Sequence, residues 1–462
     1  MVVAALRGGA GKTILSVGII AALRRRGHTI APFKKGPDYI DTGWLAIAAG
    51  RPCYNLDTFL IDPDAILQSY RCGVRDAHMA VIEGNRGLYD SIGREVHTST
   101  AELAKSLGLP VVLCLDATKT TRTMAAVVKG CQVFDPAVKL KGVILNRVAG
   151  ARHRDNLTGC IEHYCNVPVL GAIPKLSAQH FPERHMGLVP TPEHGWAVAA
   201  VEAIADEVDR FVDVDRLHAI AVAAAPQQPT AAVHETKCFG GNEPHTSRPR
   251  VGILRDAAFQ FYYPENIEAL GAAGAQVVFT SPLTEKRPPP VDALYIGGGF
   301  PETHAQQLAG NKTYRDCIRS LAQAGLPIYA ECGGLMYLGD KLRLKGVDYE
   351  MTGVLPLVFG FNVRPQGHGY TILNVTGDNP FFDVGTTIKG HEFHYSSVIE
   401  FRGQADDAAF TVQRGKGLFA DRDGLMYKNV LATYTHIHAL GTPQWAGALV
   451  RCARRYQRQG LR

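Results

Sequence analysis

Val2-Val3-Ala4-Ala5-Leu6-Arg7-Gly8-Gly9-Ala10-Gly11-Lys12-Thr13 opens the chain on a short apolar run, passes through a glycine loop and meets a helical pattern over Thr13–Arg26. The order strand, glycine loop, helix decides the fold, because a loop ending in Gly-Lys-Thr at a helix start is a phosphate cradle. Gly8, Gly9, Ala10 and Gly11 carry little bulk, so backbone N–H groups can close round a β-phosphate. Lys12 supplies a point charge to the β- and γ-oxygens, and the Thr13 hydroxyl is suited to Mg²⁺. Leu6 stands where the usual first glycine would be.

Working outward, Thr29–Phe33, Met79–Glu83, Val111–Asp116, Leu140–Asn146 and Val167–Ile173 read as further buried strands. Amphipathic stretches such as Thr100–Leu107 lie between them, which is the βαβ pattern of an α/β domain with a parallel sheet. A single helix is expected over Trp196–Leu217. Glu83 ends its strand, where a carboxylate beside a phosphate loop can hold Mg²⁺. The second strand runs into Lys34-Lys35-Gly36-Pro37-Asp38-Tyr39-Ile40-Asp41, dense in charge for a turn. Asp38 is the better metal candidate there, and Asp41 the second or a helix N-cap. The glycine-rich loop Gly84–Asp90 can approach a substrate closely. Asn146 ends the fifth of these strands, a place for a base-reading amide or a turn residue.

Composition agrees with a globular protein of two or three domains: 462 residues, 46% hydrophobic and 20% charged. It excludes disordered, collagen-like and disulfide-scaffold classes. A net charge of +6 is mild over this length, and no Lys/Arg block of nucleic-acid type occurs. Arg24-Arg25-Arg26 falls at a helix C-terminus, where cations suit the dipole. The 10 cysteines are scattered without a CxxC, so a reducing, cytoplasmic location is the simplest account and a structural zinc site is not expected. No apolar run is long enough for a membrane span, and the N-terminus lacks the basic region and cleavage site of a signal peptide.

Breakers fill 221–249, which reads as a linker between a first domain, 1–220, and a second, 250–462. The second opens with an apolar run at Val251–Leu254, followed by strand candidates at Gln276–Thr280, Ala293–Ile296 and Leu326–Ala330. The last of these enters Glu331-Cys332-Gly333-Gly334, a nucleophile on a sharp strand-to-helix turn. The helix start is expected to favour its thiolate. Another strand ends in Gly297-Gly298-Gly299, and backbone N–H groups of Gly298, Gly299 and Gly333 are candidates for an oxyanion hole. Among 17 histidines, His436 in Tyr434-Thr435-His436-Ile437-His438 is the natural base for Cys332, since it follows an apolar strand.

Taken together these motifs resemble the cobyrinic acid amidase family: a dethiobiotin-synthetase-like P-loop domain joined to a class I glutamine amidotransferase domain of flavodoxin-like α/β fold. The likeness rests on Pro32–Asp41, Asn55-Leu56-Asp57 and Glu83-Gly84. It continues through Phe261–Asn266, Gly297–Glu302, Ala330–Tyr337 and Gly390–Ser396, and so covers the chain outside the linker. It implies a carbon–nitrogen ligase in cobalamin biosynthesis, with ATP, Mg²⁺ and glutamine. Mg-ATP would phosphorylate the c and then the a acetate carboxylate of cobyrinate. Glutamine would be hydrolysed at Cys332, and its ammonia would displace phosphate. Asp38, Glu83 and Asp90 match acidic positions tied to metal or substrate activation, Tyr39 and Ile40 match positions lining the substrate, and Asp41 is a further substrate candidate beside them.

Two departures stand out. Class I amidotransferases commonly carry Glu two residues after the catalytic His; here His438 stands there, and the cobyrinic subgroup is expected to use a Cys–His dyad. Lys34-Lys35 replaces the commoner Lys-Val and suggests an extra cation near an anionic tetrapyrrole. Relatives share this chemistry on hydrogenobyrinate, nickel-sirohydrochlorin or sirohaem. A partition-type regulatory ATPase would share the loop, but Arg7 replaces its second lysine and a whole domain would be left idle. A thiol hydrolase using Cys332 would leave the P-loop idle.

Overall fold

The computed structural model opens with β1 (Val2–Ala5), entirely buried, and α1 (Lys12–Arg25). Gly11, at φ 92°, turns the loop into the helix, a conformation glycine adopts without strain. The structure describes residues 1–93, 96–175, 183–184, 187–188, 196–224 and 248–460. Two compact units divide the chain, Met1–Cys238 and Phe239–Arg462.

In the first unit the chain continues through β2 (Ile30–Lys35), α2 (Ile40–Ala49), β3 (Tyr54–Leu56), α3 (Pro63–Gly73) and β4 (Met79–Glu83). It goes on through α4 (Thr100–Ser106), β5 (Val111–Asp116), α5 (Thr123–Phe134), β6 (Leu140–Val148), α6 (Ala151–Cys165) and β7 (Val169–Pro174). One parallel sheet results, in the order β3-β2-β4-β1-β5-β6-β7. Its central strands are the continuous apolar runs that burial on both faces demands. The phosphate-loop strand lies between β4 and β5, so the carboxyl ends of all three open on the loop. Ligands of open α/β sheets bind at that edge.

Two helices, α7 (Ala197–Phe211) and α8 (Val214–Val222), replace the single helix expected from the sequence. Val212 leaves the helical region at φ −127°, ψ 135°, and Asp213 caps α8 by accepting from the Arg216 N–H. Ala200, Val201, Ile204, Ala205 and Val208 form one buried stripe on α7. Gly18 of α1 lets this stripe close, because a Cβ there would lie 2.5 Å from Val208. The arginine run does more than suit a dipole: Arg25 binds Glu202 and Asp206 of α7, and Arg26 binds Asp209. A two-residue antiparallel pair, β8 (Glu183–Arg184) and β9 (Gly187–Leu188), precedes α7. Most of the expected linker, residues 225–247, lies outside the described residues.

The second unit begins with β10 (Arg250–Leu254), α9 (Pro264–Ala272), β11 (Gln276–Thr280) and β12 (Ala293–Ile296). Then come α10 (Ala305–Gly310), α11 (Lys312–Gln323), β13 (Ile328–Glu331) and α12 (Gly333–Leu338). The β-rich remainder contains β14 (Lys341–Leu344), β15 (Val347–Glu350), β16 (Leu357–Phe361), β17 (Gly367–Val375), β18 (Thr387–His394) and β19 (Ser396–Phe401). It ends with β20 (Ala408–Arg414), β21 (Arg422–Tyr427), β22 (Val430–Thr433), β23 (His436–Ile437) and α13 (Gln444–Arg458). A ten-stranded mixed sheet runs β11-β10-β12-β13-β22-β21-β20-β17-β18-β23, and its first five strands are parallel. Trp445 of α13 packs edge-on against Tyr295 and Tyr329, at 5.0 and 5.4 Å, and fastens the helix to that parallel half. Among the described residues no helix is long and apolar enough to cross a membrane.

Candidate functional site

Strand register assembles the phosphate-loop site. Glu83 pairs with Lys34 on one side of β4 and with Val3 on the other. Glu83 Oε1 accepts from Thr13 Oγ1 and from Lys34 Nζ, each at 2.7 Å. Asp41, in the first turn of α2, accepts from the same lysine at 2.6 Å and from Thr13 at 3.2 Å. Burial alone would lower the Lys34 pKa, but Asp41 and Glu83 drive it well above its ordinary value. Burial raises the Glu83 carboxyl, with Lys34 opposing. Lys12 donates to the Arg86 carbonyl at 2.9 Å, which draws the glycine-rich loop after β4 against the phosphate loop.

Of the metal residues expected from the sequence, Thr13 and Glu83 meet directly, and Asp41 rather than Asp38 joins them. Asp38 Oδ1 instead accepts from the Asp41 N–H at 2.9 Å, capping the first turn of α2. Burial and then the Asp41 charge raise the Asp38 carboxyl to about 7. Asn55 donates to the Gly36 and Asp38 carbonyls and so fixes the turn. Tyr39 and Ile40 stand half-buried at the same turn. Asp90 Oδ2 accepts from the Gly87 N–H and shapes its own loop. Asn146 donates to the Ala10 carbonyl at 2.9 Å, placing its amide on the phosphate loop. Of the lysine pair, Lys34 is taken up by Glu83 and Asp41, while Lys35, the extra cation, is buried and donates to the Thr98 carbonyl.

Hard oxygen donors at strand ends suit Mg²⁺, which is commonly held by one or two carboxylates plus phosphate oxygens. The remaining oxygen, Glu83 Oε2, is buried without a hydrogen-bond partner among the described residues. Thr13, Glu83 and Asp41 therefore fit the ion.

In the second unit β13 delivers Cys332 to a strained turn, at φ 46° and ψ −98°, where a residue with a Cβ is costly to hold. The Cys332 N–H donates to the Thr433 carbonyl at 2.8 Å, tying the turn to the end of β22. His436 follows on β23. A Cβ on Gly298 would lie 2.4 Å from His436 Cε1, and one on Gly333 would lie 3.0 Å from Gly299 N. Gly298 therefore packs directly against the His436 ring, and Gly333 against Gly299. The N–H of Gly297 is already given to Tyr262 Oη at 2.8 Å. The expected thiolate does not follow: burial pushes the Cys332 thiol up, and Glu302 adds to it, outweighing the Gly333 N–H. Helix α12 has only six residues, so its dipole is small.

Comparison with known proteins matches a known domain to each unit. Residues 1–189 match the CobQ/CobB/MinD/ParA nucleotide binding domain, and 250–444 the CobB/CobQ-like glutamine amidotransferase domain. The chain is 42% identical to a cobyrinate a,c-diamide synthase of Magnetococcus marinus, over 97% of this chain and 96% of that one. It belongs to the cobyrinate a,c-diamide synthase family. Enzymes of that name from Archaeoglobus fulgidus and Listeria monocytogenes are 40% and 41% identical, over 98% and 95% of this chain and 97% and 96% of their own.

Several residues of this family member escaped the sequence reading. Asp116, at the end of β5, binds Arg7 at 3.0 Å and Arg147 at 2.7 Å. Burial would raise its carboxyl, but Thr118 and Arg147 hold it down at about 2. An acid ending the strand next to the phosphate-loop strand was the available signal. Asn266, within the aromatic motif, donates to Tyr295 Oη and the Ile437 carbonyl and accepts from the Ala439 N–H. It holds the histidine segment in place.

Proposed function

We propose that this chain amidates the a and c acetate carboxylates of cobyrinate, using ATP and glutamine. The observation that carries the reading is the presence of both half-sites, phosphate loop and nucleophile turn, in a chain matched over almost its full length by enzymes of that name. A carboxylate is a poor electrophile, and phosphorylation gives it a leaving group. Gly8, Gly9, Ala10 and Gly11 cradle the nucleotide, and Lys12 neutralises charge on the transferred phosphoryl. Mg²⁺, held by Thr13, Glu83 and Asp41, supplies further charge neutralisation when bound. Tyr39 and Ile40 line the corrinoid, and Asp90 keeps the glycine-rich loop in the shape that receives it. Asn146 braces the phosphate loop.

Nitrogen comes from the second unit. The Cys332 proton passes to His436 as sulfur attacks the glutamine carboxamide. N–H groups of Gly298, Gly299 and Gly333 receive the oxyanion. The carbon–nitrogen bond breaks, the imidazolium proton leaves with ammonia, and water clears the thioester as glutamate. Ammonia then displaces phosphate from the activated acetate. A reducing cytoplasm suits a reaction that depends on a free thiol, and neither site calls for nucleic acid.

The test is mass spectrometry of product from purified protein, Mg-ATP and glutamine with cobyrinate, hydrogenobyrinate, sirohaem or nickel-sirohydrochlorin. Each amidation exchanges OH for NH₂ and lowers the product mass by about one unit. Two such steps on cobyrinate are expected. Amidation of another acid alone would reassign the macrocycle, and ATP hydrolysis without amidation would sink the reading.

A further inference from the structure

The usual acid after the catalytic histidine is replaced by His438, whose Nε2 lies 3.5 Å from Glu265 Oε1 and so engages a different carboxylate. His436 nevertheless has an acid at its back. Its Nδ1 lies 3.5 Å from Glu331 Oε2, with both side chains buried. Glu331 immediately precedes Cys332, at the end of β13. Two donors fix its carboxylate: Tyr295 Oη to Oε2 at 3.0 Å and the Ile437 N–H to Oε1 at 3.1 Å. Asn266 in turn donates to Tyr295 Oη at 3.2 Å. Donors on both oxygens are the environment of an ionised acceptor.

We infer that Glu331 is a positioning residue for glutamine hydrolysis, taking the place of the missing acid and completing a Cys332–His436–Glu331 triad. The inference rests on the amidotransferase reading given above. A carboxylate facing Nδ1 makes Nδ1 the protonated nitrogen and leaves Nε2 free to take the thiol proton. It also stabilises the imidazolium that forms. The acid thus comes from the residue before the nucleophile, at the end of the same strand, so the turn that strains Cys332 also aims the base.

Glu331→Gln keeps size and shape. Its oxygen would continue to accept from Ile437, turning the NH₂ group toward Nδ1 and forcing the wrong tautomer. Glutaminase kcat should fall about 10²–10³-fold with glutamine KM within about twofold, as expected when an orienting carboxylate becomes an amide. Ammonia-supported amidation should be unchanged. The acidic limb of kcat/KM for glutamine should move to lower pH, because the imidazolium loses its counter-charge. The stacked His391, at 4.9 Å from the ring, and His438, two residues on, are the same in the variant. Burial, and then His436 and His438, hold the His391 pKa well below its ordinary value, so it adds no charge there.

Should Glu331→Gln fail to fold, Tyr295→Phe keeps the charge but frees Oε2 to turn from the ring, and about a tenfold fall in kcat is expected. Wild-type glutaminase rates, or a reduced rate with an unmoved acidic limb, would make Glu331 merely structural. Cys332→Ala and His436→Ala separate the two claims: glutamine hydrolysis surviving either would overturn the amidotransferase reading itself.

Discussion

Lys34 Nζ stands 2.7 Å from Glu83 Oε1, both side chains buried where β2 and β4 pair. Glu83 is thereby neutralised by a residue of the neighbouring strand before any metal or nucleotide arrives. Removing one partner of a buried pair leaves the other uncompensated and costs about 3–5 kcal/mol. Lys34→Met should therefore lower the unfolding free energy of the first unit by about 3 kcal/mol, as read by urea melts followed by circular dichroism. A loss below about 1 kcal/mol would show that Glu83 does not depend on the lysine.

Gly298 lies hard against the histidine of the nucleophile site, since a Cβ there would meet His436 Cε1 at 2.4 Å. Both are held by strand ends, so the imidazole must tilt to make room. Gly298→Ala is expected to cut glutamine-dependent amidation at least about tenfold, because small misplacements of a base are costly. Reaction with free ammonia should persist. Steady-state assays with each nitrogen source decide it, and equal losses with both would place the damage elsewhere.

Asp38 gives the phosphate-loop unit a pH signature. Burial and the Asp41 charge raise its carboxyl to about 7 in the folded protein, against about 4 in an unfolded chain. Between those values the folded state binds more protons, so this group's contribution to stability falls as pH rises from about 4 to about 7 and is flat above. Asp38→Asn keeps the oxygen that accepts from Asp41 and removes the titration. The stability of the native protein relative to this variant should therefore decline over that window in denaturant melts. A difference independent of pH would show that Asp38 is ionised throughout.

Features built from local spacing were legible in the sequence. The phosphate loop needs its glycines, lysine and threonine in one order, and the nucleophile turn needs a strand, a cysteine and small neighbours. Glu83 was legible because it ends an apolar run. Pairing between distant strands left no such trace. Nothing around Lys34 shows that register sets it opposite Glu83, where it serves as an internal counter-ion. Asp38 and Asp41 are one helical turn apart, and only the start of α2 at Ile40 decides which faces Thr13. β3 has three residues, too few for any periodicity. Helices α7 and α8 merged in the reading because Val212 interrupts them without a glycine or proline.

In the proposed reaction Lys12 and Cys332 act in separate half-reactions, so their variants should fail in different ways. Lys12 is the proposed cation for the β- and γ-phosphates, so Lys12→Ala should abolish amidation with either glutamine or ammonia. As the proposed nucleophile Cys332 would handle only the glutamine amide, so Cys332→Ala should lose the glutamine-dependent reaction while ammonia still supports it. Measuring ADP and amidated product with each nitrogen source gives a two-by-two comparison. Full activity in Lys12→Ala would refute the phosphate-loop assignment. Loss of both reactions in Cys332→Ala would mean that the strained turn holds the structure rather than the nucleophile. Because burial pushes the Cys332 thiol up, its alkylation by iodoacetamide in the absence of glutamine should keep rising about tenfold per pH unit past pH 8. A plateau below that pH would instead reveal a preformed thiolate–imidazolium pair.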